Sequence, residues 1–323
     1  MKIGGVFTVV VVLAFATAPP SLAATAYVSN EKDNTISVVD VAARKVTRTV
    51  KVGQRPRGIM LSKDSRQLYI CTSDDDHIEV FDLETLEMTH TLPSGPDPEL
   101  MALGATGRLL YVANEDDNLV TVVDTVDRRV VEEIPVGVEP EGMGVSPDGK
   151  WLVNTSETTN MAHFVNLATN KVEANVLVDG RPRAAQFTPD GKQVWVSSEI
   201  GGTISVIDAQ NHEVLQKVTF EIPGLRREAI QPVGLRITAD GKRVFVALGP
   251  AARIAIIDAE SYEVEKYLLV GQRVWNLALT PDERYAVTTN GVSNDVSIID
   301  IDRLKVIKSL KVGRMPWGVA IGP

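Results

Sequence analysis

A single spacing limits what this chain can become. Three markers recur along it in step. A Tyr-Val-x-Asn-like run begins at Tyr27, Tyr69, Tyr111, Val153, Trp195, Phe245 and Val287. A Ser-Val-Val-Asp-like run ends at Asp40, Asp82, Asp124, Asn166, Asp208, Asp258 and Asp300. A Val-Gly-x-x-Pro-like corner is marked by Pro56, Pro98, Pro140, Pro182, Pro232, Val274 and Pro316. Each series steps by 42 residues, apart from one step of 50 near the fifth copy. A period of this length belongs to solenoids and propellers.

The pattern inside one unit decides between them. Thr35 to Asp40 and Leu119 to Asp124 are β-branched runs bounded by Asn and Asp, which is a strand signature. No segment carries the 3.6-residue apolar spacing of a long amphipathic helix. One pass through the unit holds four such runs, Met143 to Ser146, Leu152 to Ser156, Ala162 to Asn166 and Val172 to Val178. Four short strands per unit of about 40 residues make a propeller blade. The expected fold is all-β, a seven-bladed propeller of four-stranded blades. The chain opens on a second-strand marker and stops on a first-strand marker, Trp317 to Pro323. One blade is therefore expected to take three strands from the N-terminal end and one from the C-terminal end, which leaves no open edge.

Residues 1–23 read as a secretory signal peptide: Lys2, an apolar stretch from Val6 to Ala16, and a small-x-small site at Ser21-Leu22-Ala23. The apolar run is too short to span a membrane, which takes about 20 residues. Residues 24–323 are expected to form one propeller domain, exported to the periplasm, with no membrane span after cleavage. Cys71 is the only cysteine, so no internal disulfide is available. It replaces a small residue of the Tyr-Val-x-Asn run and is expected to be buried. The formal charge of −9 includes Lys2. Its acidic sign argues against nucleic acid, which requires a basic footprint.

Function belongs where the copies differ. The corners and the loops between second and third strands share one face, here called upper. Around that face the residues flanking the corner change sign: Arg55 and Arg57, Asp97 and Glu99, Glu139 and Glu141, Arg181 and Arg183, then Arg273 with Trp275, and Trp317. These eleven side chains form the candidate binding set. The second loops add Glu31, Asp33, Asp74, Asp75, Asp76, Glu115, Glu157 and Glu199 to the same face. Guanidinium forks suit a small multi-carboxylate ligand or an acidic partner. The acidic arc suits a cationic partner or an oxygen-ligated metal. The plainer alternative is that the arginines and carboxylates pair with one another and solvate the rim.

The inventory argues against catalysis. His77 lies in an upper loop, while His90, His163 and His212 fall in or beside outer strands. No Ser-His-Asp set, phosphate-cradling glycine loop or metal-ligand spacing can be picked out, and no resident cofactor is implied. Asp74-Asp75-Asp76-His77 is a loop of a kind that takes calcium, but bare acidic loops are commonly only solvated. Ser146-Pro147-Asp148-Gly149 and the recurring Asp40, Asp124 and Asp208 have turn chemistry as their explanation.

Tyr111-Val112-Ala113-Asn114, Ser205-Val206-Ile207-Asp208 and Val136-Gly137-x-x-Pro140 carry a resemblance to the YVTN family of β-propellers over the whole mature chain. Within it, the 42-residue units, the Asp-rich loops and the insertion from Pro223 resemble exported propellers associated with catabolism dependent on pyrroloquinoline quinone. That resemblance implies a non-enzymatic binding module. Its upper face would dock a periplasmic quinoprotein dehydrogenase or its cytochrome, or hold a small anionic ligand. The dehydrogenases themselves resemble larger, Trp-rich propellers with a vicinal Cys pair, whereas this chain has four Trp and one Cys. A metal-assisted lactonase-like hydrolase at the funnel and a structural cell-surface propeller are the alternatives.

Overall fold

The computed structural model describes Met1 and residues 24–323. The expected signal peptide therefore lies, Met1 apart, outside the described residues. Among the described residues, twenty-eight strands form seven antiparallel four-stranded sheets. Blades I to VI, named in chain order, span residues 56–93, 98–135, 140–177, 182–219, 235–269 and 274–311. Blade VII joins Pro316–Gly322 to Thr25–Asn30, Thr35–Asp40 and Lys45–Lys51. The ring thus closes with one C-terminal and three N-terminal strands, as the register of the repeat predicts. Short 3-10 turns at Ser73–Asp75 and Arg227–Ala229 are the helical elements among the described residues. No helix there is long and apolar enough to cross a membrane.

The core lies between blades. Tyr69, Cys71, Ile78, Val80 and Leu92 of blade I pack on Met101, Leu103, Leu110 and Val112 of blade II. Cys71 is fully buried, and that burial pushes its thiol pKa well up, which makes it inert. Middle strands such as Thr203–Asp208 are buried on both faces because each blade is covered on both sides. Each buried Val or Ile there contributes about 1.5–3 kcal/mol.

The repeat markers have local causes. The Asn of Tyr-Val-x-Asn is buried: Asn30 Nδ2 donates to Thr35 Oγ1 and Ser37 Oγ, both at 3.0 Å. The Asp ending each third strand accepts turn amides, as Asp208 Oδ1 does from Gln210 and Asn211 at 2.8 and 2.7 Å. The corner glycine gives room. At Gly137 a Cβ would come within 2.7 Å of His163 Nε2, which accepts the Gly137 N–H at 3.0 Å.

Candidate functional site at the channel mouth

Six of the seven inner strands start at a corner whose preceding residue takes a left-handed backbone; Leu235–Ile237 of blade V is the exception. Arg55, Asp97, Glu139, Arg181, Arg273 and Met315 have φ between 49° and 58°. Such conformations cost a non-glycine residue about 1–2 kcal/mol. In five of them a side chain from the preceding blade holds the amide. Asn34, Asn118, Asn160 and Asn294 accept the N–H of Arg55, Glu139, Arg181 and Met315 at 2.9–3.1 Å. Asp76 does the same for Asp97 at 3.1 Å. Asp75 and His77 are likewise spent locally, on Gln54 and on the Asp75 carbonyl. The Asp74–His77 loop is therefore corner scaffold.

The five candidate arginines converge on the mouth, and protein carboxylates hold every one. Arg55 pairs with Asp97 and, through Nε at 2.6 Å, with Asp74. Arg57 Nη1 meets Glu99 Oε2 at 2.7 Å and its guanidinium lies 5.4 Å above the Trp317 ring. Arg181 Nε contacts Glu157 at 2.5 Å. Arg183, 4 % exposed, meets Glu141 at 2.7 Å, Glu157, and Glu199 at 3.6 Å. Arg273 bonds Glu199 at 2.7 Å and Gln231 at 2.8 Å, 4.1 Å from the Trp275 ring centre. The pairing of rim charges across blades is thus what the fold selects. Trp317 is buried, so it backs Arg57 instead of offering an open wall. Trp275 is half-buried, and its indole Nε1–H has no acceptor.

On one side the carboxylates are left in excess. Ligand oxygens of Asp97, Glu99 and Glu115 lie within 4.8 Å of one another, and so do those of Glu115, Glu139 and Glu157. Burial pushes Glu99 up to about 8, against the pull of Arg57 and with help from Glu115 and Asp97. Burial also raises Glu141 and Glu115, each with further push from neighbouring carboxylates. Burial alone would raise Glu157, but Arg183 and Arg181 hold it below its ordinary value. Glu99 Oε1 is buried without a hydrogen-bond donor. Oxygens bound to one calcium ion sit ~2.4 Å from it and hence at most ~4.8 Å apart, so both triads fit a hard cation.

Sequence reasoning placed Glu115 and Glu157 on this face but left them out of the binding set. The available signal was a Glu directly after the second strand in four copies, Glu31, Glu115, Glu157 and Glu199. The histidines are structural or peripheral. His163 bridges Asn175 at 2.6 Å and the Gly137 amide, and His212 packs 4.4 Å from Phe164.

Residues 23–129 match the family model described as "Lactonase, 7-bladed beta-propeller". No curated protein matches the chain. Among solved structures, hydrazine synthase of Kuenenia stuttgartiensis superposes with TM-score 0.78 at 22% identity, over 85% of this chain and 92% of that one. A candidate 6-phosphogluconolactonase of Bacteroides fragilis gives TM-score 0.78 at 19% identity, over 94% and 100%. A dihydro-heme d1 dehydrogenase gives 0.69 at 17%, over 91% and 74%. These likenesses establish a β-propeller. At such identities they speak for the fold, which hosts unrelated chemistries.

Proposed function

We propose that this propeller is an exported hydrolase of lactones that works with a divalent cation at the channel mouth. The observation that carries the reading is Glu115, shared by two triads of close carboxylate oxygens beside the orphaned Glu99 Oε1. The family model matched by residues 23–129 and the candidate 6-phosphogluconolactonase among the structural neighbours support the same class. Asp97, Glu99 and Glu115 would hold the ion. When bound, it would supply Lewis-acid polarisation of the lactone carbonyl. Glu139, in the second triad, would take a proton from water as its hydroxyl adds to the acyl carbon. The ring C–O bond breaks and the proton passes to the departing alkoxide. Arg183 and Arg57 keep the buried carboxylates oriented.

The test is hydrolysis of glucono-δ-lactone by protein stripped with a chelator and reloaded with calcium or magnesium. Activity lost on stripping, restored by the ion and absent in Glu115→Gln supports the reading. Activity indifferent to both, or no hydrolysis of any lactone tried, removes it.

A second reading is a non-enzymatic module serving a periplasmic quinoprotein dehydrogenase or its cytochrome. The net acidic mouth favours it for a basic partner surface. The occupied arginines count against binding of the tricarboxylate quinone itself. Calcium-dependent stabilisation with no hydrolysis would favour this module. Export to the periplasm belongs to both readings.

A further inference from the structure

A cavity at the other end of the channel has a lining of the opposite charge. Four residues beyond each corner the inner strands place Met60, Ala102, Gly144, Gln186, Arg236, Ala278 and Ala320 at one level. Four of these are Ala or Gly, which leaves space, and a cavity of about 430 Å³ opens there towards the lower rim. No carboxylate lines it; its two charged residues are Arg236 and Lys63. Arg236 belongs to the short strand Leu235–Ile237 and is enclosed by protein, with solvent reaching it only in part. Its Nη1 donates to the Leu235 carbonyl at 2.7 Å, and it forms no ion pair among the described residues. Burial lowers its pKa, with no neighbouring carboxylate to oppose the shift. Gln186 Oε1 accepts the Ile237 amide at 3.2 Å, and its Nε2 donates to no protein acceptor among the described residues. Met60, Met101 and Met143 supply a soft, adaptable apolar wall.

We propose that the lower channel is an anion site in which Arg236 and Gln186 grip the oxyanion of a small organic carboxylate or phosphate and the three methionines cover its body. A guanidinium fork left without a carboxylate in a cavity open to the lower rim is matched by an oxygen pair on a ligand. Without a ligand, the desolvated part of the charge is offset by the Leu235 carbonyl alone among the described residues. Lys63 lines the same cavity and adds to its positive charge. This site is independent of the mouth and of any lactone chemistry.

The methionines provide a local readout. Protein labelled with 13C at the methionine methyls would be titrated with sodium succinate, sodium phosphate and sodium chloride at matched ionic strength. The resonances of Met60, Met101 and Met143 should move and saturate with succinate or phosphate, while those of Met88 and Met161 stay still. Saturation by one salt alone identifies the carboxylate or the phosphate as the group preferred. Arg236→Met should weaken the response at least tenfold, and Arg236→Gln serves if that variant does not fold. No saturable shift with either salt, an equal response to chloride, or an undiminished response in the folded variants overturns the proposal.

Discussion

Arg183 and Arg236 sit on the inner strands of adjacent blades, both largely enclosed, and the protein treats them in opposite ways. Arg183 is held by Glu141, Glu157 and Glu199 at the mouth, and although burial alone would lower its pKa, those carboxylates raise it. Arg236, in the channel, has one backbone carbonyl and a pKa lowered by burial. A buried charge with partners is part of the scaffold. A buried charge without them invites a ligand. The five upper arginines, which the residue pattern offers as ligand contacts, all have carboxylate partners, though Arg181 remains partly exposed.

Removal of each arginine should separate the two kinds most sharply. Arg183→Met leaves Glu141 and Glu157 buried and short of a cation, so a loss of about 3–5 kcal/mol is expected in urea unfolding. Arg236→Met should change stability by less than about 1 kcal/mol, or raise it, since a methionine removes an uncompensated charge. Equal losses would mean that Arg236 is a structural residue too.

Calcium should act at the mouth alone. At one hundred times its dissociation constant, a single bound ion adds about 2.7 kcal/mol to unfolding stability. Calorimetry should show that gain in the native protein and in Arg236→Met but not in Glu115→Gln. A gain that survives Glu115→Gln places the ion elsewhere.

Glu99 sets a pH signature. Its carboxyl holds a proton more tightly in the folded protein, at about 8 against an ordinary 4.5. Its contribution is therefore complete below about pH 4.5 and is lost as pH rises towards 8, with a slope of at most ~1.4 kcal/mol per pH unit. Glu99→Gln should flatten urea midpoints across that window, and saturating calcium should flatten them in the native protein. An unchanged slope in Glu99→Gln would assign the titration to Glu141 or Glu115.

The smallest effect belongs to the lower-face turns. Asp148 is held down to about 2 by the Ser146 hydroxyl and by Lys150. Its stabilisation is present above its ordinary 3.8 and fades as pH falls towards 2. Asp148→Ala should cost under ~1 kcal/mol at pH 7 and less at pH 2 in thermal unfolding. A larger loss would make that turn part of the cavity floor and not a simple connection.

Much of this was legible in the residues. The 42-residue step located the blades, and the strand at Pro316–Gly322 completed blade VII as the marker order required. Cys71 is buried and Asp40, Asp124 and Asp208 close turns, each as its residue type and position imply. Part of the mouth was legible too: Arg55 with Asp97 and Arg57 with Glu99 are pairs one period apart, corner to corner. Arg183 with Glu157, and Arg273 with Glu199 two blades away, follow no such step. They depend on how far a guanidinium reaches across a narrowing ring. No repeat marker singles out Arg236 within Leu235-Arg236-Ile237.

The amino-acid sequence by itself determined the period, the strands, the turns and the closure of the ring, because these follow from local propensity and the repetition of one apolar pattern. The tertiary structure alone decided which charges are neutralised. Closing seven sheets brings side chains from distant copies within a few ångströms and turns a water-facing strand face into the wall of a channel. Whether a charge finds a partner there depends on distance and desolvation, which no single repeat contains.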